Sequence, residues 1–352
     1  MHDLMIVYYI DSMNKGFWET IDTPCYVMAP MADVTDRAFR RMFAKYGKPD
    51  VTWTEFVSAD GLFLRPIEPG VGDQPHNEFE QIALNHGIGV DHPLLKDLMY
   101  TDAERPIVAQ FFSRDPEHMH RAAALARDLG FDGVDINMGC PADVICKQGA
   151  GAAMIKDPVH AQKIIRATID GAGGLPVSVK TRIGYTSDIL DEWLSALLDT
   201  QLSAVIIHAR TRKQMSKVPA DWSTITRAVH MRNTRNSDTL ILGNGDVETM
   251  NQARQRVNET GCDGVMIGRG LFGNPWVFTD ITPTVSQRLQ ALLEHTQLFI
   301  ELLGDTKNFN IMKKHYKAYV NGFDGAKELR TALMHAHTYD EIDQLVRTFL
   351  NE

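Results

Sequence analysis

The sequence predicts a (β/α)8 barrel of the α/β class followed by a small C-terminal helical domain. Three observations carry that prediction. Eight short, β-branched apolar runs recur between residues 25 and 267, amphipathic segments separate them, and polar or glycine-rich residues cluster at their ends. Runs that are apolar throughout and alternate with helices describe parallel strands buried on both faces. Eight such units close into a barrel more naturally than they form an open doubly wound sheet, and chemistry then belongs at the C-terminal ends of the strands.

Taken in order, the strand-like runs are 25–28, 51–54, 107–112, 133–137, 177–180, 204–208, 240–242 and 264–267. Their ends carry Ala29-Pro30-Met31, Thr54-Glu55, Gln110, Asn137 to Cys140, Lys180 with Arg182, His208 with Arg210, Asn244 to Asp246, and Gly268-Arg269. Between them, "DPEHMHRAAALARDLG" repeats Ala122, Leu125, Ala126 and Leu129 at helical spacing and supplies Gly130 as a C-cap. The gap between the second and third strands is long and rich in Pro, Gly and His; at about 66–96 it reads as a surface excursion. Beyond residue 283 the strands stop, and "SQRLQALLEHTQLFIELLG" opens a run of four helical stretches. The expected division is an N-terminal extension at 1–24, a barrel at 25–282 and a helical domain at 283–352.

Composition narrows the class. The longest apolar runs fall well short of the roughly 20 residues that cross a bilayer, and the apolar patch at 5–10 follows Asp3 rather than a basic segment, so a cytoplasmic protein is expected. Cys25, Cys140, Cys146 and Cys262 form no C-x-x-C pair, which argues against structural zinc and for free thiols. A net charge of -9 excludes a protein basic all over but not a local basic patch.

"ILGNGDV" and "VMIGRGLFGNP" place glycine-rich loops after the seventh and eighth strands, where backbone N–H groups and a helix N-terminus can grip a phosphate. Arg269 would add a charge-assisted bond; the competing reading is that these glycines only make tight turns. Lys180 either snorkels to the rim or faces a ligand that gains negative charge, as a reduced flavin does. Gln110 could bond the polar edge of such a ring, or be a satisfied rim amide. His208 points to the same mouth and suits a substrate carbonyl, and the basic run Arg210, Arg212, Lys213 and Lys217 follows it. "GAGAAM" lacks the spacing of a dinucleotide fingerprint and reads as close-packed backbone.

These residues resemble the tRNA-dihydrouridine synthases, most nearly their bacterial B-type branch. The matching stretches are "APMADVTDRAFR", "TEFVSADGL", "PIVAQFF", "GVDINMGCPADVICKQGAGAAMIKDP", "VSVKTRIG", "IIHARTR", "GNGDV" and "DGVMIGRGLFGNPW", in order, with "IMKKHYKAYVNGFDGAKELRTAL" resembling the family's helical RNA-binding domain. The resemblance implies FMN as cofactor and NADPH or NADH as reductant. It makes Pro30, Met31 and Ala32 flavin contacts, sets Gln110 and Lys180 on the isoalloxazine with His208 nearby, and puts Asn244, Gly245, Asp246, Gly268 and Arg269 at the phosphate. It further implies Asn137 as a substrate-orienting residue and Cys140 as the proton donor. Hydride reaches C6 of a uridine flipped out of tRNA while Cys140 protonates C5; His208, with Arg210, steadies the developing oxyanion. RNA contacts fall to Arg182, Arg212 and Lys213 at the rim and to Lys313, Lys314 and Lys317 in the tail, with the enzyme a monomer on tRNA, bound to neither membrane nor metal.

Asp33, Ser113 and Ala209 each stand where the family commonly has Gly, and the excursion is longer than usual. Three other readings compete: a flavin barrel acting on a free pyrimidine, in the manner of dihydroorotate dehydrogenase; a phosphosugar isomerase or lyase; and an RNA-binding module with dispensable catalysis.

Overall fold

The computed structural model describes residues 15–64 and 74–351. The patch at 5–10 and the first part of the excursion, up to residue 73, lie outside the described residues. Eight parallel strands stand where the apolar runs predict them: β1 Cys25–Met28, β2 Thr52–Ser58, β3 Ile107–Phe112, β4 Gly133–Met138, β5 Val177–Arg182, β6 Ala204–His208, β7 Leu240–Asn244 and β8 Gly264–Ile267. Each pairs with its sequence neighbour, and β1 pairs with β8 from Cys25–Gly264 to Met28–Ile267. A single bridge between Val27 and Val51 joins β1 to the start of β2 and closes the ring.

Alternation along the strands separates two cores. Val27, Val108, Ile206, Leu242 and Met266 fill the barrel interior, whereas their neighbours Met28, Ala109, Ile207, Ile241 and Val265 face the helices. Trp18, on a short turn at Gly16–Glu19, packs over Trp53 with ring centroids 6.3 Å apart and seals the N-terminal end of the barrel.

The second strand runs past its expected end at residue 54 to Ser58, with a register shift between Trp53 and Phe56. Glu55 interrupts the apolar pattern there, yet it remains in the strand because its buried carboxylate finds a cation, Lys307. The described part of the excursion is not a free surface loop. Asn77 caps the helix Glu78–Asn85, and Ala83, Ile88 and Leu95 are buried against the barrel wall.

After the barrel, Thr284 and Gln287 form a reciprocal capping box that starts the helix Val285–Leu303. Helices Met312–Tyr319, Ala326–His335 and Tyr339–Leu350 follow. Phe299, Tyr316, Leu333 and Ile342 from these four helices share one apolar core with Ala38 and Met42, on the outer side of the barrel helix Arg37–Tyr46. Tyr316 and Tyr319 are therefore core residues.

Candidate active site

The C-terminal ends of β1 and β5 to β8 surround one polar cleft, lined by Pro30, Met31, Lys180, His208, Arg210, Asn244, Gly245, Asp246, Gly268 and Arg269, with Ser216 and Glu248 at its edge. The loop after β1 is shaped locally: Thr35 Oγ1 accepts the Met31 N–H at 3.0 Å, and Glu55 Oε1 accepts the Asp33 N–H at 2.5 Å. Asp33 itself sits in the left-handed region at φ 54°. Ala32 is exposed and lies off the cleft.

Lys180 donates to Asn244 Oδ1 at 3.3 Å, and Asn244 Nδ2 donates to the Met266 carbonyl at 2.7 Å. Burial, then the like charge of Arg182, pulls the ammonium down to about 8. Arg210 Nη1 lies 3.1 Å from His208 Nε2. A guanidinium can only donate, so Nε2 is the acceptor and the imidazole carries its proton on Nδ1. Burial and the surrounding cations Arg182, Lys180, Arg210 and Arg269 hold His208 well below the usual histidine range, so it is neutral.

Asp246 accepts from both Arg210 and Arg269 and from the Ala220 N–H at 2.7 Å. Burial opposes its charge, but the hydrogen bonds from Arg210 and Ala220 and the two arginine charges hold its carboxyl below the ordinary value. Backbone groups also face the cleft beside Arg269. Within the described residues the N–H groups of Gly245, Asp246, Gly268 and Arg269 have no protein partner. A helix N-terminus does not supply them, contrary to the sequence expectation: only a three-residue turn, Arg269–Leu271, follows β8, and the helix after β7 starts at Met250. Gly245 adopts φ 129°, and a Cβ there would come within 2.8 Å of Ala220. Unpaired N–H groups beside Arg269, with an ammonium and a neutral imidazole further in, are the donor set a phosphate-bearing, electron-accepting ring requires. The residues fit a phosphate-bearing flavin.

Gln110, Asn137 and Cys140 do not line that cleft; they form the adjoining sector. Asn137 pairs in register with Lys180. Its Oδ1 accepts the N–H groups of Gly139 at 3.1 Å and Cys140 at 2.8 Å, and its Nδ2 donates to Gln110 Oε1 at 3.0 Å. Burial pushes the Cys140 thiol up, outweighing the pull of the Ala142 backbone and of Arg182 and Lys180. Gly151, at φ 58°, packs so closely that a Cβ would meet the Cys140 carbonyl at 2.9 Å, which accounts for the close-packed reading of "GAGAAM". Cys146 is half-buried with its Sγ 3.6 Å from the Cys140 carbonyl.

Several expectations need correction. Arg182 cannot serve RNA: it is buried, donating to the carbonyls of Gly139 at 2.8 Å, Thr211 at 3.3 Å and Met215 at 3.2 Å. Arg210, at the cleft, is mostly buried and bonded to Val218, His208 and Asp246, which fixes the His208 ring. Lys314 donates to the Asp33 carbonyl, and Arg212 pairs with Asp143. Lys213, Lys217 and Lys317 are exposed and Lys313 is half-buried. Among the described residues no group of His, Cys, Asp or Glu could hold a metal, and no helix is long and apolar enough to cross a membrane.

Comparison with known proteins agrees with this geometry. Residues 27–352 match the model of the dihydrouridine synthase (Dus) family. A Staphylococcus epidermidis protein named "Probable tRNA-dihydrouridine synthase" is 36% identical over 96% of this chain and 97% of its own length. "Probable tRNA-dihydrouridine synthase 2" of Bacillus subtilis is 35% identical over the same shares. Among solved structures, a 2-naphthoyl-CoA reductase complex has a TM-score of 0.50 at 10% identity, covering 72% of this chain and 49% of that one, a likeness of fold alone.

Proposed function

The chain belongs to the dihydrouridine synthase family, and on that premise we propose how its own residues carry out the activity: it is a flavin-dependent oxidoreductase that converts uridine in tRNA to 5,6-dihydrouridine. The observation that carries the assignment of roles is the junction of two sectors on one barrel rim. A cradle of unpaired N–H groups, Arg269 and Lys180 lies beside a cysteine loop fastened by Asn137.

The flavin would be FMN, held at its phosphate by Arg269 and the backbone of Gly245, Asp246 and Gly268 and at its ring by Met31 and Lys180, while the Gln110 amide is taken up by Asp135 and Asn137. When bound and reduced by a nicotinamide nucleotide, NADPH or NADH, it would supply the hydride that C6 of the uracil accepts. Charge then develops toward the C4 carbonyl, where the Nδ1–H of neutral His208 can donate. Cys140, kept protonated by burial, gives its proton to C5 and is re-protonated from solvent. This role requires a thiol that resists ionisation, the opposite of a nucleophilic cysteine.

The target base must leave its stack to reach the rim. Lys213 and Lys217 after β6, with Lys313 and Lys317 on the helical tail, are the cations placed to hold the RNA backbone. In this reading 25–282 is the catalytic unit, 283–352 the tRNA-binding unit, and the protein works as a cytoplasmic monomer. The test is to map dihydrouridine in tRNA from cells lacking the gene and to restore it with the pure protein. A complete map in the deleted strain, together with no conversion in vitro, would refute the assignment.

A further inference from the structure

At the middle of β4 the Asp135 carboxylate is fully buried between two strands, in register with Gln110 on β3 and Ser178 on β5. Its Oδ1 accepts from Ser178 Oγ at 2.5 Å and its Oδ2 from Gln110 Nε2 at 2.5 Å. The chain of bonds continues outward: Gln110 Oε1 accepts from Asn137 Nδ2 at 3.0 Å, and Asn137 Oδ1 accepts the N–H groups of Gly139 and Cys140. The outer end is a pair of backbone N–H groups, which can only donate. The inner carboxyl, lifted to about 6 by burial against the hydrogen bonds of Ser178 and Gln110 and the charge of Lys180, is ionised at neutral pH and there can only accept, so the two amides between them have one consistent orientation.

We infer that Asp135 is a positioning residue for the reaction: by accepting from Gln110 it orders Gln110 and Asn137 and so fixes the loop that presents Cys140. The inference rests on Cys140 being the proton donor for its catalytic consequence, but the positioning itself does not. If Asp135 presented a donor instead, Gln110 could turn its amide, Asn137 would lose its partner or turn as well, and the Gly139 and Cys140 N–H groups would lose their acceptor. Among the described residues Lys180 is the charge that bears on Asp135.

The test is Asp135→Asn, which keeps the side-chain volume, in the flavin-loaded full-length protein. The first readout is the rate at which iodoacetamide alkylates Cys140, followed peptide by peptide across pH. Release of the loop should raise the rate about 5-fold or more at a given pH and shift its profile. The second is turnover on tRNA, where kcat should fall about 10- to 100-fold with KM for tRNA unchanged. Should Asp135→Asn not fold, Ser178→Ala, which removes one donor and keeps the carboxylate, must show the same two effects to a smaller extent. Unchanged alkylation of Cys140 in the variant that folds overturns the proposal. Faster alkylation with unchanged kcat would keep Asp135 as the loop's support and sink Cys140 as proton donor. Cys140→Ala decides that second point separately.

Discussion

Lys307 Nζ lies 2.6 Å from the Glu55 carboxylate and 3.4 Å from Asp97. This pair ties the segment between the first two tail helices to the end of β2, and Glu55 also holds the Asp33 N–H beside the proposed flavin loop. The helical tail and the loop proposed to meet the flavin are therefore linked through one carboxylate. Burial lifts the Glu55 carboxyl to about 7 even beside Lys307, so in Lys307→Ala it should take up a proton near neutral pH, and loss of the pair should cost about 2 kcal/mol in urea unfolding. Lys307→Ala with Glu55→Gln should recover most of it. A single variant as stable as wild type would show the pair to be dispensable.

Cys140→Ala should keep flavin absorbance and tRNA affinity while lowering turnover about 100-fold or more. In the proposed mechanism the reacting form is the thiol. Because burial raises its pKa, the proton-transfer rate should hold through neutral pH and fall only as pH rises through the raised value. Single-turnover rates against pH test this; a rate that climbs with alkali would mean the thiolate is the active form.

Lys180 titrates at about 8, so its ammonium is present below that pH and lost above it. Flavin affinity should weaken as pH rises past about 8, and Lys180→Gln should flatten that dependence while weakening binding about 10-fold. Without ligand the sign of stability is opposite. Between about 8 and the ordinary value of 10.5 the folded state binds fewer protons than the unfolded chain, so stability should rise with pH across that window. Flavin titrations by fluorescence quenching and urea melts at matched pH separate the two.

His295 and His315 pack edge to face at 4.8 Å between Phe39 and Phe272 of the barrel and Tyr319 of the tail. Burial holds His295 at about 3 and, together with the charges of His295 and Lys314, keeps His315 well below the usual range. A folded value below the unfolded one means stability is complete above about 6.5 and declines as pH falls toward 3. From pH 7 to pH 5 His295 alone should cost about 2 kcal/mol. His295→Phe should reduce the slope; an unchanged urea midpoint at pH 5 would contradict the burial of the pair.

Two basic residues should part company. Arg182→Ala removes the donors from three backbone carbonyls and should cost about 2 kcal/mol of stability. Lys317→Ala should leave stability unchanged, weaken tRNA binding, and lower the slope of log affinity against log salt by about 1. Melting curves and salt-dependent tRNA titrations distinguish the two.

The barrel was readable because parallel strands buried on both faces leave continuous apolar runs, and the binding loops were readable because they follow those runs. The extension of β2 was not. Glu55 looks like the end of a strand until Lys307, some 250 residues later, supplies its counter-charge. Arg182 and Lys313 look alike as letters; only the fold shows the first turned toward three carbonyls inside the protein. Asp135 sits inside an apolar run, and its meaning depends on Gln110 and Ser178 from neighbouring strands. Periodicity reports which way a face points but not which polar groups will meet there.

Trp18 over Trp53 leaves the barrel with one open end. If an electron donor and a flipped base both reach the proposed flavin from that rim, each must leave before the other enters, and turnover would alternate between the nucleotide and the tRNA. Initial rates at several fixed tRNA concentrations should give parallel double-reciprocal lines, and excess nucleotide should compete with tRNA for the reduced enzyme. A filled barrel with one polar rim would thus receive its two partners in turn.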